Sequence, residues 1–146
     1  MIVLICKLLN KWLVLKKNNL PPIASIIGRY WAMDRDTRWE RVERAYNCLL
    51  FGEGNSAKSS DEAIKASYEA DVTDEFVEPT AIGGKRISDN DSVIFFNYRP
   101  DRAREITKAI TFKDFDGFDR KKVLNNLYYV CMTQYDETMN VPVAFK

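Results

Sequence analysis

Twice in this chain an apolar strand-like run gives way at once to an arginine-bearing turn and then to a helix pattern, and that order narrows the fold. The first run is Ile23-Ala24-Ser25-Ile26-Ile27, closed by Gly28-Arg29 and followed by Trp39, Val42, Tyr46, Leu49 and Leu50 at helical intervals. The second is Ser92 to Tyr98, nearly continuously apolar, followed by Arg99-Pro100-Asp101-Arg102 and then by Ala103, Ile106, Ala109 and Ile110. A continuous apolar run is expected of a strand covered on both faces. A third strand is expected at Tyr128 to Met132. Strands alternating with helices predict an α/β fold, a three-layer α/β/α arrangement around a mainly parallel sheet.

The remaining segments fill in around this frame. Ile5, Leu8, Leu9, Trp12 and Leu13 fall at helical spacing, with lysines around them, and Pro21-Pro22 breaks the pattern. Asp36 or Thr37 is placed to cap the helix that begins near Trp39, and Gly52 and Gly54 to end it. Ser59-Ser60-Asp61-Glu62 has the Ser-x-x-Glu form of a capping box, opening a helix through Ala63, Ile64, Ser67 and Tyr68. Thr73 to Ile82 is extended and acidic with Pro79 inside it, which predicts an edge strand or an ordered loop. Phe112 to Asp119 reads as a packed aromatic loop, and Val141 to Lys146 as the start of a linker.

The chemistry concentrates in Gly28-Arg29-Tyr30-Trp31-Ala32-Met33-Asp34-Arg35-Asp36-Thr37-Arg38-Trp39. Arginine grips carboxylate and phosphate through paired hydrogen bonds. Ligands of parallel sheets bind beyond the carboxyl ends of the strands, where both basic turns lie. Arg29, Arg35, Arg99 and Arg102 are therefore expected to face one anion. A helix beginning near Asp101 would add free N–H groups. The competing readings are a surface turn at residues 28–39 whose charges pair with each other, and a second turn in which Asp101 caps the helix and both arginines lie in solvent.

Composition limits the alternatives. With 146 residues, 46% hydrophobic, the chain fits one domain with a real core. Its net charge of +1 gives no global attraction to nucleic acid or to anionic membrane, and no segment has the ~20 apolar residues of a membrane span. Cys6, Cys48 and Cys131 are far apart and each sits in an apolar run, as expected of buried free thiols in the cytoplasm. There is no histidine, which removes the commonest general base and the commonest transition-metal ligand.

Two of these segments resemble known motifs. Residues 28–43 resemble the GRYxxMDRDxRWxRVE motif of the bisphosphoglycerate-independent phosphoglycerate mutases, and residues 91–104 their DxxIFxNxRPDRAR motif. Thr73-Asp74-Glu75-Phe76-Val77 between them is similar to a third family stretch, TDEFV. The resemblance covers about Ile23 to Lys146, and residues 1–22 match poorly. It implies interconversion of 3-phosphoglycerate and 2-phosphoglycerate in glycolysis, by a manganese-dependent phosphatase-like domain bearing a serine nucleophile and an inserted transferase domain that holds the glycerate. It also implies that Arg29, Arg35, Arg99 and Arg102 bind the carboxylate and phosphate of that substrate.

The departures define what is expected of this chain. The Asn-Ser-Glu-Val-Gly-His string of the family nucleophile and all of its metal-ligand histidines are absent. Residues 23–146 thus resemble the later part of the transferase domain alone, an incomplete domain. No catalytic residue, metal ligand or bound cofactor is expected here, and manganese belongs to the full-length family. The isolated chain is expected to be inactive, with a separate chain carrying the metal domain as a candidate partner. The alternatives are a stand-alone module binding phosphorylated acids and a non-functional truncated product.

Overall fold

The computed structural model describes residues 2–6 and 22–145, the first segment through its backbone alone. Four strands, β1 (Ile2–Cys6), β2 (Ile23–Gly28), β3 (Asn55–Ala57) and β4 (Thr80–Ile82), form a sheet in the order β1-β2-β4-β3. Strands β5 (Ser92–Phe95) and β6 (Tyr128–Cys131) form a second sheet. The pairs β1–β2, β3–β4 and β5–β6 are parallel, and β2–β4 is antiparallel. The helices are α1 (Arg29–Ala32), α2 (Trp39–Phe51), α3 (Ser60–Glu69) and α4 (Arg104–Thr111). The mainly parallel α/β expectation holds, with the strands divided between two sheets.

Strand β2 is the centre of the layering. Side chains of successive strand residues point to opposite faces, so Ile26 and Ile27 enter different cores. Ile27 packs with Val42 and Tyr46 of α2 and with Ile106 of α4, whereas Ile26 packs with Ala63 of α3 and with Val77 and Ile82. Helix α2 therefore covers one face and α3 the other. The first core continues through Ala109 and Ile110 to Tyr129 and Cys131 of the second sheet, which joins the two sheets. Phe115 and Phe118 close its far end edge-on to Trp39 and Tyr46, as the packed-loop reading of residues 112–119 expects.

Five expectations need correction. Ile5 and Cys6 lie in β1, so no helix begins at Ile5; β-branched Ile2, Val3 and Ile5 suit a strand that pairs with β2. Leu8, Leu9, Trp12 and Leu13 lie outside the described residues. Strand β4 is central and not an edge, because it starts only after Pro79, and Pro79 needs no N–H: its carbonyl accepts the Asn55 N–H at 3.0 Å. Strand β5 is covered on one face only. Val93 and Phe95 face the core, while Ile94 is 67% and Phe96 69% exposed. Helix α2 is capped by neither Asp36 nor Thr37; a carboxylate further back, Asp34, takes the N–H groups of Asp36 and Arg38. The tail does not leave as a linker. Cys131 donates its N–H to Pro142, and Ala144 donates to Cys131, laying the tail along β6. The Ser59 cap of α3 is present, its hydroxyl accepting the Glu62 N–H at 3.2 Å.

Candidate functional site

The site is built on the end of β2. Gly28 donates its N–H to Val77 at 2.7 Å, and an added Cβ there would collide with the Glu75 carbonyl. This contact holds the turn Asp74–Phe76 against α1. Arg29 forms an ion pair with Glu75. The Trp31 indole donates to the Phe76 carbonyl at 3.1 Å, and the Tyr30 and Phe76 rings touch at 5.3 Å. Arg41 and Arg44 of α2 lie over the Tyr30 and Trp31 rings at 3.8 and 4.1 Å, a cation–π arrangement that fixes α1 on α2. Tyr30 and Trp31 thus serve as packing plates for two arginines of α2.

Beyond α1 the backbone of residues 36–38 is held by two carboxyls. Asp34, 3% exposed, accepts the N–H groups of Asp36 at 2.9 Å and Arg38 at 3.0 Å and a guanidinium N–H of Arg41 at 3.3 Å. Burial pushes the Asp34 carboxyl up, but these N–H donors and the Arg41 charge outweigh it and hold it below the ordinary range. The Thr37 N–H goes to Oε1 of Glu105 in α4 at 3.0 Å. Burial pushes Glu105 above the ordinary carboxylate range, and the charges of Asp34 and Asp36 add to this.

The loop so fixed presents Arg35 to the second basic turn. Arg35 reaches Asp101 at 3.3 Å, and Arg99 reaches the other oxygen of the same carboxylate at 2.6 Å. The Arg99 hydrogen bond is the main cause that lowers the Asp101 pKa, with Arg35 assisting. Arg102 donates to the Met33 carbonyl at 2.9 Å, tying the two turns together. The chain between β5 and Arg99 is pinned in turn. Tyr135 donates to the Asn97 carbonyl, and the Asn97 amide donates to the Arg99 carbonyl at 2.8 Å.

The structure brings Arg35, Arg99 and Arg102 together around the two turns and gives Arg29 to Glu75. Arg99 and Arg35 keep 70% and 46% of their side-chain surface open to solvent. The expected helix N-terminus at Asp101 is displaced: residues 101–103 form a turn, and α4 starts at Arg104. Two partly exposed guanidiniums thus share one carboxylate, Asp101.

Comparison with known proteins assigns the arrangement to a family. The family model described as the BPG-independent PGAM N-terminus matches residues 5–137. The chain belongs to this family. The 2,3-bisphosphoglycerate-independent phosphoglycerate mutase of Moorella thermoacetica is 52% identical over 135 residues, which span 89% of this chain and 26% of that protein. The enzyme of that name from Clostridium tetani is 54% identical over 138 residues, covering 90% of this chain and 26% of its own length. A crystal structure of Leishmania mexicana phosphoglycerate mutase at low cobalt concentration superposes with a TM-score of 0.74 at 31% identity. That match covers 86% of this chain and 25% of the Leishmania one. The chain therefore spans about a quarter of the length of these mutases.

The mutase family is metal-dependent, and the residues present here do not fit such a centre. The sequence has no histidine, and among the described residues no group of three or more Cys, Asp or Glu side chains is placed to hold an ion. Among those residues, too, no helix is long and apolar enough to cross a membrane. Cys48 and Cys131 are buried free thiols, each pushed up to about 11 by burial. Sequence reasoning missed Glu75, Asp101, Asp34 and Glu105 as partners of the arginine turns. Glu75 had a signal, since it sits in the TDEFV stretch. Glu105 had none, because 68 residues separate it from Thr37.

Proposed function

We propose that this chain is the glycerate-holding part of a bisphosphoglycerate-independent phosphoglycerate mutase, in which Arg35, Arg99 and Arg102 bind the anionic groups of 3-phosphoglycerate and 2-phosphoglycerate. The observation that carries the reading is the single Asp101 carboxylate shared by Arg35 and Arg99. A phosphoglycerate offers a phosphate and a carboxylate, both suited to guanidinium forks. Arg29, held by Glu75 at the end of β2, borders the same loop and completes the set when the ligand draws it from that ion pair. This partial transferase domain takes in residues 23–146 together with β1, which pairs with β2 in the same sheet. The manganese ions and the serine nucleophile of glycolytic turnover in the cytoplasm belong to the remainder of the fold, carried in the same polypeptide or in a second one. The chain alone grips its ligand and performs no phosphoryl transfer.

Titration of the full chain with 3-phosphoglycerate, followed by ¹H–¹⁵N correlation spectra, tests the reading. Saturable shifts at Arg35, Arg99 and Arg102 are expected, and Arg99→Ala weakens binding by about tenfold or more, the scale of one lost charge-assisted partner. Spectra indifferent to the ligand sink the proposal, and turnover by the pure chain with manganese sinks its second half.

A further inference from the structure

The N–H groups of three successive residues, Asp36, Thr37 and Arg38, are all taken by carboxyl oxygens. Thr37 has a φ of +62°, a backbone conformation unfavourable for a β-branched residue, so the loop is held by its surroundings and not by its own preference. The two carboxyls that hold it differ in kind. Asp34 has N–H donors on both oxygens. Glu105 is 8% exposed, and its second oxygen, Oε2, is enclosed with no hydrogen-bond partner. The charged groups facing Glu105 are Asp34 and Asp36 of the loop, both negative. Of the nearby cations, Arg41 of α2 is committed to Asp34, Arg102 to the Met33 carbonyl, and Arg35 and Arg99 to Asp101. An ionised Glu105 would be a buried charge beside two like charges with one oxygen bare, which is costly.

We propose that Glu105 works as a neutral carboxylic acid that positions the arginine loop: Oε1 holds the Thr37 N–H, Oε2 carries a proton beside the Asp34 carboxylate, and the two together set Arg35 next to Arg99. Glu105 touches no ligand and acts through the loop. Loss of its proton places a second charge against Asp34 and releases the Thr37 end of the loop from α4, so Arg35 departs from its place beside Arg99. The ligand consequence rests on the phosphoglycerate reading; the proton and the loop do not.

Carboxyl-carbon NMR of the full chain over a pH series tests this directly. Glu105 is expected to titrate above the exposed glutamates, and the Thr37 amide to shift and lose exchange protection with the same midpoint. Glu105→Gln supplies a neutral N–H in place of the acid O–H. It is expected to keep the Thr37 signal at all pH values, whereas Glu105→Ala loses it. Because a phosphate monoester itself gains charge near pH ~6, the informative binding quantity is the ratio between wild type and Glu105→Gln. That ratio is expected near unity below the Glu105 midpoint, with wild type about tenfold weaker above it. A Glu105 midpoint at or below those of the exposed glutamates overturns the proposal. So does a Gln variant that behaves like Ala, or a full chain whose Thr37 amide is never protected. A wild type that binds no phosphoglycerate overturns the proposed function and leaves the Thr37 result to decide this one.

Discussion

Gly28 is the residue on which the geometry of the site depends most directly. Its N–H bonds to Val77, and its α-carbon faces the Glu75 carbonyl so closely that no side chain fits. A methyl group there has to push the Asp74–Phe76 turn away, which also moves Glu75 from Arg29 and the Phe76 carbonyl from Trp31. Gly28→Ala is therefore expected to lower stability by about 1–3 kcal/mol, the usual cost of overpacking a rigid contact. Denaturant unfolding followed by tryptophan fluorescence measures it, and an unchanged midpoint refutes the close-approach argument. The sequence announced Gly28 as the end of a strand, and the structure agrees. It could not announce the partner, because Gly28 and Glu75 meet only when β4 takes its place beside β2.

At the scale of elements, helix α4 and the loop at residues 34–38 form one electrostatic unit with a pH signature. Asp34, Asp89, Asp101 and Asp136 all titrate below the ordinary aspartate value of 3.8. Their stabilisation is present above that value and is lost as pH falls through their lowered pKa values. Glu105 lies above its ordinary 4.5. Its contribution is full below 4.5 and is lost as pH rises from there through its raised pKa. Stability is thus expected to climb from strong acid, reach a maximum near the ordinary carboxylate range, and then decline. Thermal unfolding of Glu105→Gln over the same pH series should keep the acid limb and lose the decline; a decline that persists in the variant assigns it elsewhere. Elements of this kind were legible unequally. Helix α2, the capped α3 and strand β2 carry strong periodicity or caps and sit where the pattern puts them. Strand β4 has three residues, too few for any period, and its central position follows from what pairs with it.

For the whole molecule, the telling disagreement is the open face of the second sheet. The near-continuous apolar run at residues 92–98 predicts cover on both sides, yet Ile94, Phe96, Tyr98 and, on the neighbouring strand, Tyr128 are each more than half exposed. The run is apolar on both sides, but packing covers the Val93 and Phe95 side alone among the described residues, so apolar continuity did not reveal which face is buried. Exposed apolar patches of this kind drive association. Ile94→Lys with Phe96→Lys is expected to reduce binding of a hydrophobic dye and concentration-dependent self-association. It should change unfolding stability by no more than about 0.5 kcal/mol, because neither side chain is buried. An undiminished dye signal would place the sticky surface elsewhere.

On the proposed phosphoglycerate reading, the carboxylate shared by Arg35 and Arg99 makes the site an ion exchanger. Binding there does not simply add an anion to bare cations; it substitutes one counter-ion for another that the chain carries permanently at high local concentration. A singly charged ion such as chloride or acetate brings nothing that Asp101 lacks, and so cannot displace it at equal footing. A ligand with a dianionic phosphate and a carboxylate can satisfy more guanidinium donors than the aspartate does. Since one internal pairing is lost for each external one gained at Arg35 and Arg99, the affinity should also respond less steeply to ionic strength than two unpaired arginines would. On that reading, Asp101 sets a threshold of charge and valence that a ligand has to exceed before the arginines release their resident anion.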